Sequence, residues 1–134
     1  MDEFISYLKK ISPINEDSSS AFLSKCKIFN LSKGDFLVKS GQVSQYLYFV
    51  KSGIGKVYYL KDDKEIIDWI SDEGNLLTSV TSFLTHQPSK HIVQLMEDSE
   101  LIGISYSDLE SLFSKYHGSH KSTPQRMLNT IIFK

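Results

Sequence analysis

The chain is poor in the residues that most chemistry and most nucleic-acid binding require. Among 134 residues there is one cysteine, Cys26, and one arginine, Arg126. A single thiol excludes an intramolecular disulfide and suits a reducing compartment. Cys26 lies between a helical and a strand-like stretch, where it reads as a small packed side chain rather than a nucleophile or a metal ligand. The formal net charge is −1 and lysines form no run, which excludes general electrostatic attraction to nucleic acid. No apolar run is long enough to cross a bilayer. The opening MDEFISYLKK begins acidic and is too polar for a secretory signal, so the expected location is cytoplasmic. The four histidines, His86, His91, His117 and His120, lack the strand-borne pair that a metal-dependent barrel enzyme needs, and read as solvated loop residues. No serine sits in a G-x-S-x-G elbow. Asp62-Asp63 and Asp72-Glu73 read as solvated turn residues. No catalytic residue and no metal site is therefore expected, and the chain is not read as an enzyme.

What is present is a strand pattern. With 40% hydrophobic residues the length suits one domain with one core. Phe4, Leu8 and Ile11 keep helical spacing, Ser12-Pro13 is a helix entry, and EDSSSAFLSKC is a weaker helix. From residue 27 the period falls to about two. KIFNL, DFLVKSG, YLYFVKSG, KVYYLKD and KEIIDWIS are short, β-branched and aromatic, and HIVQLMED and ELIGIS follow later. Gly34, Gly41 and Gly53 and the DDK at 62–64 punctuate them as tight turns. SYSDLESLFSKY returns to helical period, with Leu109, Leu112, Phe113 and Tyr116 on one face and Gly118 as its stop. Thr123-Pro124 opens another helix carrying Met127, Leu128, Ile131 and Ile132. The expected fold is mainly β with flanking helices. Its parts are N-terminal helices over 1–30, a β-roll over 31–105, and C-terminal helices over 106–134 with the last one truncated. Too little chain follows Gly118 for a helix-turn-helix, so no DNA binding is expected of this chain alone. The short apolar segment after Thr123 predicts a weak homodimer or docking back onto the roll.

Within the strand region one loop stands out. GNLLTSVTSFLTHQPSK, residues 74–90, carries hydroxyls at Thr78, Ser79, Thr81, Ser82, Thr85 and Ser89, one cation, Lys90, and no carboxylate. A short helix near Val80 to Phe83 would turn backbone N–H groups outward, although hydroxyl-rich turns before helices are also ordinary capping material.

The run LSKGDFLVKSGQVSQYLYFVKSGIGKVYYLKDDKEIIDWISDEGNLL, with QLMEDSELIGISYSDLESL, resembles the cyclic-nucleotide-binding domain of catabolite activator protein and the related anaerobic regulators (the Crp/Fnr family). The pattern G-x-x-L-x-x-x-G followed by L-Y-x-V-x-x-G is met by Gly34, Leu37, Gly41, Leu47, Tyr48, Val50 and Gly53. The resemblance implies a double-stranded β-helix of the jelly-roll type, a regulatory rather than catalytic role, and a small-molecule ligand such as a cyclic nucleotide. It also implies a ligand motif F-G-E-[LA] followed after a short helix by R-[ST]-A, whose Glu holds the ribose and whose Arg holds the cyclic phosphate. Here Thr78 falls on the Gly, Ser79 on the Glu and Ser89 on the Arg, with Lys90 one place later. The implied ligand contacts are Thr78, Ser79, Val80, Ser89 and Lys90. With both charged partners replaced, the expectation is a sensor domain of a bacterial transcription regulator that binds cyclic AMP weakly or not at all and favours a weakly charged or neutral ligand. The alternative is a stand-alone protein-interaction module that binds no nucleotide.

Overall fold

The computed structural model describes residues 23–116. The expected helices before residue 23, the segment after Thr123, and His117 and His120 lie outside these residues. Residues 23–25 are helical and hand the chain through Cys26 to the first of eight strands. These are β1 (Lys27–Leu31), β2 (Phe36–Val38), β3 (Tyr46–Ser52), β4 (Gly55–Lys61), β5 (Lys64–Ser71), β6 (Leu76–Leu77), β7 (Ile92–Leu95) and β8 (Ser99–Ser105). Two helices interrupt and follow them, α1 (Val80–Thr85) and α2 (Tyr106–Tyr116). The strands form two four-stranded sheets, ordered β1-β8-β3-β6 and β2-β7-β4-β5. Every pairing is antiparallel, as the β-roll expectation requires.

Alternation along β3 explains how the sheets stack. Tyr48 and Val50 join Val38, Val57, Leu77, Val93, Leu95 and Leu101 in the core between the sheets. Leu47 and Phe49 take the opposite face, and they are buried as well. On that side Ile102 and Ile104 of β8 and Leu109 of α2 are fully buried too. The first sheet is thus covered on both faces, which is why YLYFV reads as a nearly continuous apolar run. The second sheet is covered on its inner face, while on its outer face Leu60 and Ile67 are exposed.

Two turns need their special residues. Asp62 and Asp63 both have positive φ, 53° and 63°, the two-residue hairpin that matches the right-handed twist of β4 and β5. Gly53 has φ 110°, and a Cβ there would collide with the Ser99 side chain and lie 2.8 Å from the Ser99 Cα. The β3–β4 turn can therefore approach β8 only as glycine.

Candidate functional site

The loop singled out in the sequence runs from β6 through α1 to β7 and is fastened at both ends. At its start Ser71 Oγ donates to the Leu76 carbonyl at 2.6 Å. At its end the Gly41 N–H donates to the Ser89 carbonyl (2.8 Å), and the Ser89 N–H donates to the Gln42 carbonyl (2.7 Å). The turn between β2 and β3 thus clamps residue 89 from both directions. α1 has only six residues; its N-cap, Ser79, makes no side-chain capping bond, and it stops at His86 in the left-handed conformation. The Ser79 hydroxyl is thus free for another partner.

That partner is Ser89. The two hydroxyl oxygens lie 2.7 Å apart, and both residues are buried, 3% and 4% exposed. The structure therefore brings together the two positions on which the family's charged pair would fall. Proton bookkeeping fixes the direction of this bond. The Ser89 hydroxyl donates to the His91 carbonyl at 2.7 Å and accepts from the His91 N–H at 3.0 Å. A hydroxyl has one proton and two acceptor lone pairs, so Ser79 must be the donor to Ser89. Ser79 Oγ then keeps its acceptor capacity.

The neighbouring hydroxyls follow the same rule. Thr78 Oγ1 donates to the Tyr46 carbonyl at 2.9 Å, so the 3.1 Å contact with Ser44 Oγ draws its proton from Ser44. Ser82 Oγ accepts from the Ser44 N–H (2.8 Å) and donates to the Gln87 carbonyl (2.6 Å). Five hydroxyl protons, those of Ser44, Thr78, Ser79, Ser82 and Ser89, all have acceptors inside the protein. An anion arriving at these five side chains would find lone pairs there instead of free hydroxyl donors. Lys90, the loop's one cation, is exposed and has no ion-pair partner among the described residues. Val80 is half-buried, and Leu76 and Phe83 are core.

Sequence reasoning marked positions 78, 79, 80, 89 and 90 and missed the residues around them. Ser44 lies more than thirty positions from its partners Thr78 and Ser82, and no pattern in QVSQ announces it. His91, expected as a solvated loop residue, lies in the bend just before β7 and is half-buried, with Nε2 2.7 Å from the Asp68 carboxylate and its ring edge-on to Tyr59, centroids 5.7 Å apart. His86 is exposed, as expected of a loop residue, with its ring edge-on to Tyr106. Cys26 sits at the helix–strand junction, half-buried. Burial, and secondarily Asp108, push its thiol up to about 12, far from the thiolate a nucleophile needs. No group of three or more metal-ligating side chains is placed to hold an ion among the described residues, and none of their helices is long and apolar enough to cross a membrane.

Comparison with known proteins adds the following. Residues 28–116 match the model of the cyclic nucleotide-binding domain. A sequence search of curated proteins gives no match. Among solved structures the chain is similar to the sensor domain of the transcriptional regulator DNR from Pseudomonas aeruginosa, with TM-score 0.75 and 20% identity over 87% of this chain and 77% of that one. It is also similar to the catabolite activator protein of Thermus thermophilus, with TM-score 0.71 and 17% identity over 93% of this chain and 54% of that one. A third is the regulatory subunit of a cAMP-independent protein kinase A from Trypanosoma cruzi bound to guanosine, with TM-score 0.72 and 12% identity over 99% of this chain and 45% of that one. The chain spans about half the length of the last two. These similarities carry the fold, a β-roll shared by regulatory domains.

Proposed function

This chain belongs to the cyclic nucleotide-binding domain family, and from that premise we propose that it is the ligand-sensing domain of a bacterial transcription regulator of the catabolite-activator class, with a loop at 74–90 adapted to an uncharged, hydroxyl-bearing ligand in preference to cyclic AMP. The observation that carries the reading is the direction of the hydroxyl protons. A cyclic phosphate offers only acceptors and is held by charged donors, each worth about 1.5–3 kcal/mol. Here Ser79 and Ser89 replace the Glu and Arg of the family motif, and their protons go to Ser89 Oγ and the His91 carbonyl. Ser79 Oγ retains lone pairs, which suit the O–H of a ribose. Lys90 brings one positive charge without the bidentate fork of an arginine. Thr78 and Val80 flank Ser79 and shape the approach. The trypanosomal relative bound to guanosine supplies the first uncharged probe.

Thermal unfolding tests the reading, because a ligand that binds only the folded state raises the midpoint in proportion to the logarithm of its concentration over Kd. Guanosine at millimolar concentration is expected to raise the midpoint, and cyclic AMP at the same concentration to leave it in place. A rise with micromolar cyclic AMP would overturn the proposal. The second reading, an interaction module that binds no nucleotide, draws on β5, an edge strand with Ile66, Ile67 and Ile70 exposed. Its signature would be a midpoint that neither compound moves.

A further inference from the structure

The second sheet ends on an open strand. β5 closes the order β2-β7-β4-β5, and every residue of it from Lys64 to Ile70 is exposed. β5 contains no proline or glycine, the residues that would block or weaken further pairing. Its register against β4 fixes the face each side chain takes. Val57 pairs with Val93 on one side and with Trp69 on the other, and Val57 and Val93 lie in the core. This row marks the inner face, and Trp69 at its end remains 45% exposed. Tyr59 pairs with Ile66 and Lys61 with Lys64, so Ile66 and Lys64 follow on the inner side. Tyr58 pairs with Ile67 and Leu60 with Glu65, on the outer side. Asp68 is the extra residue of a bulge, and its carboxylate reaches His91 on the inner side, where His91 meets Tyr59.

The same register fixes where the β5 backbone points. Lys61 and Lys64 flank the two-residue turn at Asp62-Asp63 and bond to each other across it. Antiparallel pairs alternate between bonded and unbonded. The N–H and C=O groups of Lys64 and Ile66 therefore face β4, and those of Glu65 and Ile67 face away from it. On that side β5 has no neighbouring strand among the described residues.

This edge is complementary to itself. Two copies of β5 laid antiparallel can bond only where outward residues meet. Glu65 against the partner's Glu65 opposes like charges. Ile67 against the partner's Ile67 sets the apolar Ile66 against the partner's Asp68 and draws the bulge into the ladder. Glu65 against the partner's Ile67 avoids both faults. Ile66 then meets the partner's Ile66 on the two-fold axis, and Lys64 meets the partner's Asp68. Lys64 has no ion-pair partner among the described residues. Asp68 gives Oδ2 to His91, which leaves Oδ1 to accept from the lysine.

We propose that β5 pairs with β5 of a second copy of this chain in that register, joining the two outer sheets into one across an axis at Ile66. The proposal uses the free edge of β5 and not the loop at 74–90, so it stands apart from the ligand reading. The ladder is short, which makes the dimer a weak one that forms with rising protein concentration.

Facing residues of an unbonded antiparallel pair have Cα atoms about 4.5 Å apart, within reach of a disulfide. In the full chain carrying Cys26→Ser, Ile66→Cys should therefore form a disulfide-linked dimer with diamide, and more of it at higher protein concentration. Lys64→Cys should not, because its two copies lie about 14 Å apart along the strands. Lys64→Glu turns the cross-strand attraction into repulsion at both ends of the ladder. It should weaken the dimer by roughly 4- to 700-fold in sedimentation equilibrium, with the variant folded by circular dichroism. Ile66→Cys linking no faster than Lys64→Cys would overturn the proposal and place any dimer elsewhere, as in the segment after Thr123. A dimer unweakened by Lys64→Glu would overturn it as well, and so would a monomer at every concentration.

Discussion

Ser89→Ala should cost far more stability than Ser79→Ala, although the two residues are equally buried and share a hydrogen bond. The difference follows from what each hydroxyl satisfies. Ser79 Oγ has one bond, to Ser89. Its removal leaves Ser89 with its donor and acceptor contacts to His91 intact, so the loss is that of one neutral hydrogen bond, about 1 kcal/mol. Ser89 Oγ has three contacts, to Ser79 Oγ, the His91 carbonyl and the His91 N–H. Its removal strands a hydroxyl and two backbone groups at a buried position. A buried group left unpaired costs about 1–3 kcal/mol, and partial hydration of the His91 backbone brings the total to roughly 2–4 kcal/mol. For a domain of this length the midpoint moves by about 3–4 °C per kcal/mol. Thermal unfolding should therefore fall by about 3–4 °C in Ser79→Ala and by roughly 6–15 °C in Ser89→Ala. The double variant should cost about 1 kcal/mol less than the sum, because the shared bond is lost once. A Ser79→Ala variant as unstable as Ser89→Ala, or strict additivity, would refute the proton assignment.

Further expectations follow from other features. Gly53→Ala should unfold the domain or lower its midpoint by far more than Gly74→Ala; both have positive φ, but a Cβ meets the Ser99 backbone at the first and open space at the second, and expression with denaturation curves decides it. Alkaline stability should decline above about pH 9. Burial raises Cys26 from 9.0 to about 12 and Tyr48 from 10.0 to about 12, so both protonated forms favour the folded state and their contribution is lost between those values as pH rises. In Cys26→Ser the onset should move to about pH 10, where Tyr48 takes over; an unchanged onset would contradict the thiol's share. Ser79→Glu with Ser89→Arg should gain cyclic AMP affinity of roughly 10²- to 10⁴-fold from two charge-assisted contacts, read by calorimetry, and no gain would show that residues 79 and 89 do not face the ligand.

The fold was legible because its turns are written in the sequence. Gly34, Gly41, Gly53 and Asp62-Asp63 mark places where positive φ is needed, and between them the period-two pattern fixes which side chains face the core. The segment 74–90 was legible as a loop with a short helix between two strands, and its ligand contacts were counted off a resemblance. Its chemistry was not legible. Whether Ser79 donates or accepts depends on the His91 carbonyl, and nothing in HIVQLMED shows that the His91 main chain bonds to the Ser89 hydroxyl. Ser44 joins the network across more than thirty residues of chain. Trp69 looked like one more apolar residue in KEIIDWIS, and its half-open setting emerges only from the bulge at Asp68 and the row it completes with Val57 and Val93.

The central claim is that this loop has acceptors where its relatives' motif has phosphate-binding charge. Guanosine and its 3′,5′-cyclic monophosphate share base and sugar and differ in the phosphate, so the ratio of their calorimetric dissociation constants isolates that group. The account predicts that guanosine binds the unaltered protein more tightly than the cyclic monophosphate. Equal or tighter binding of the cyclic monophosphate would contradict it.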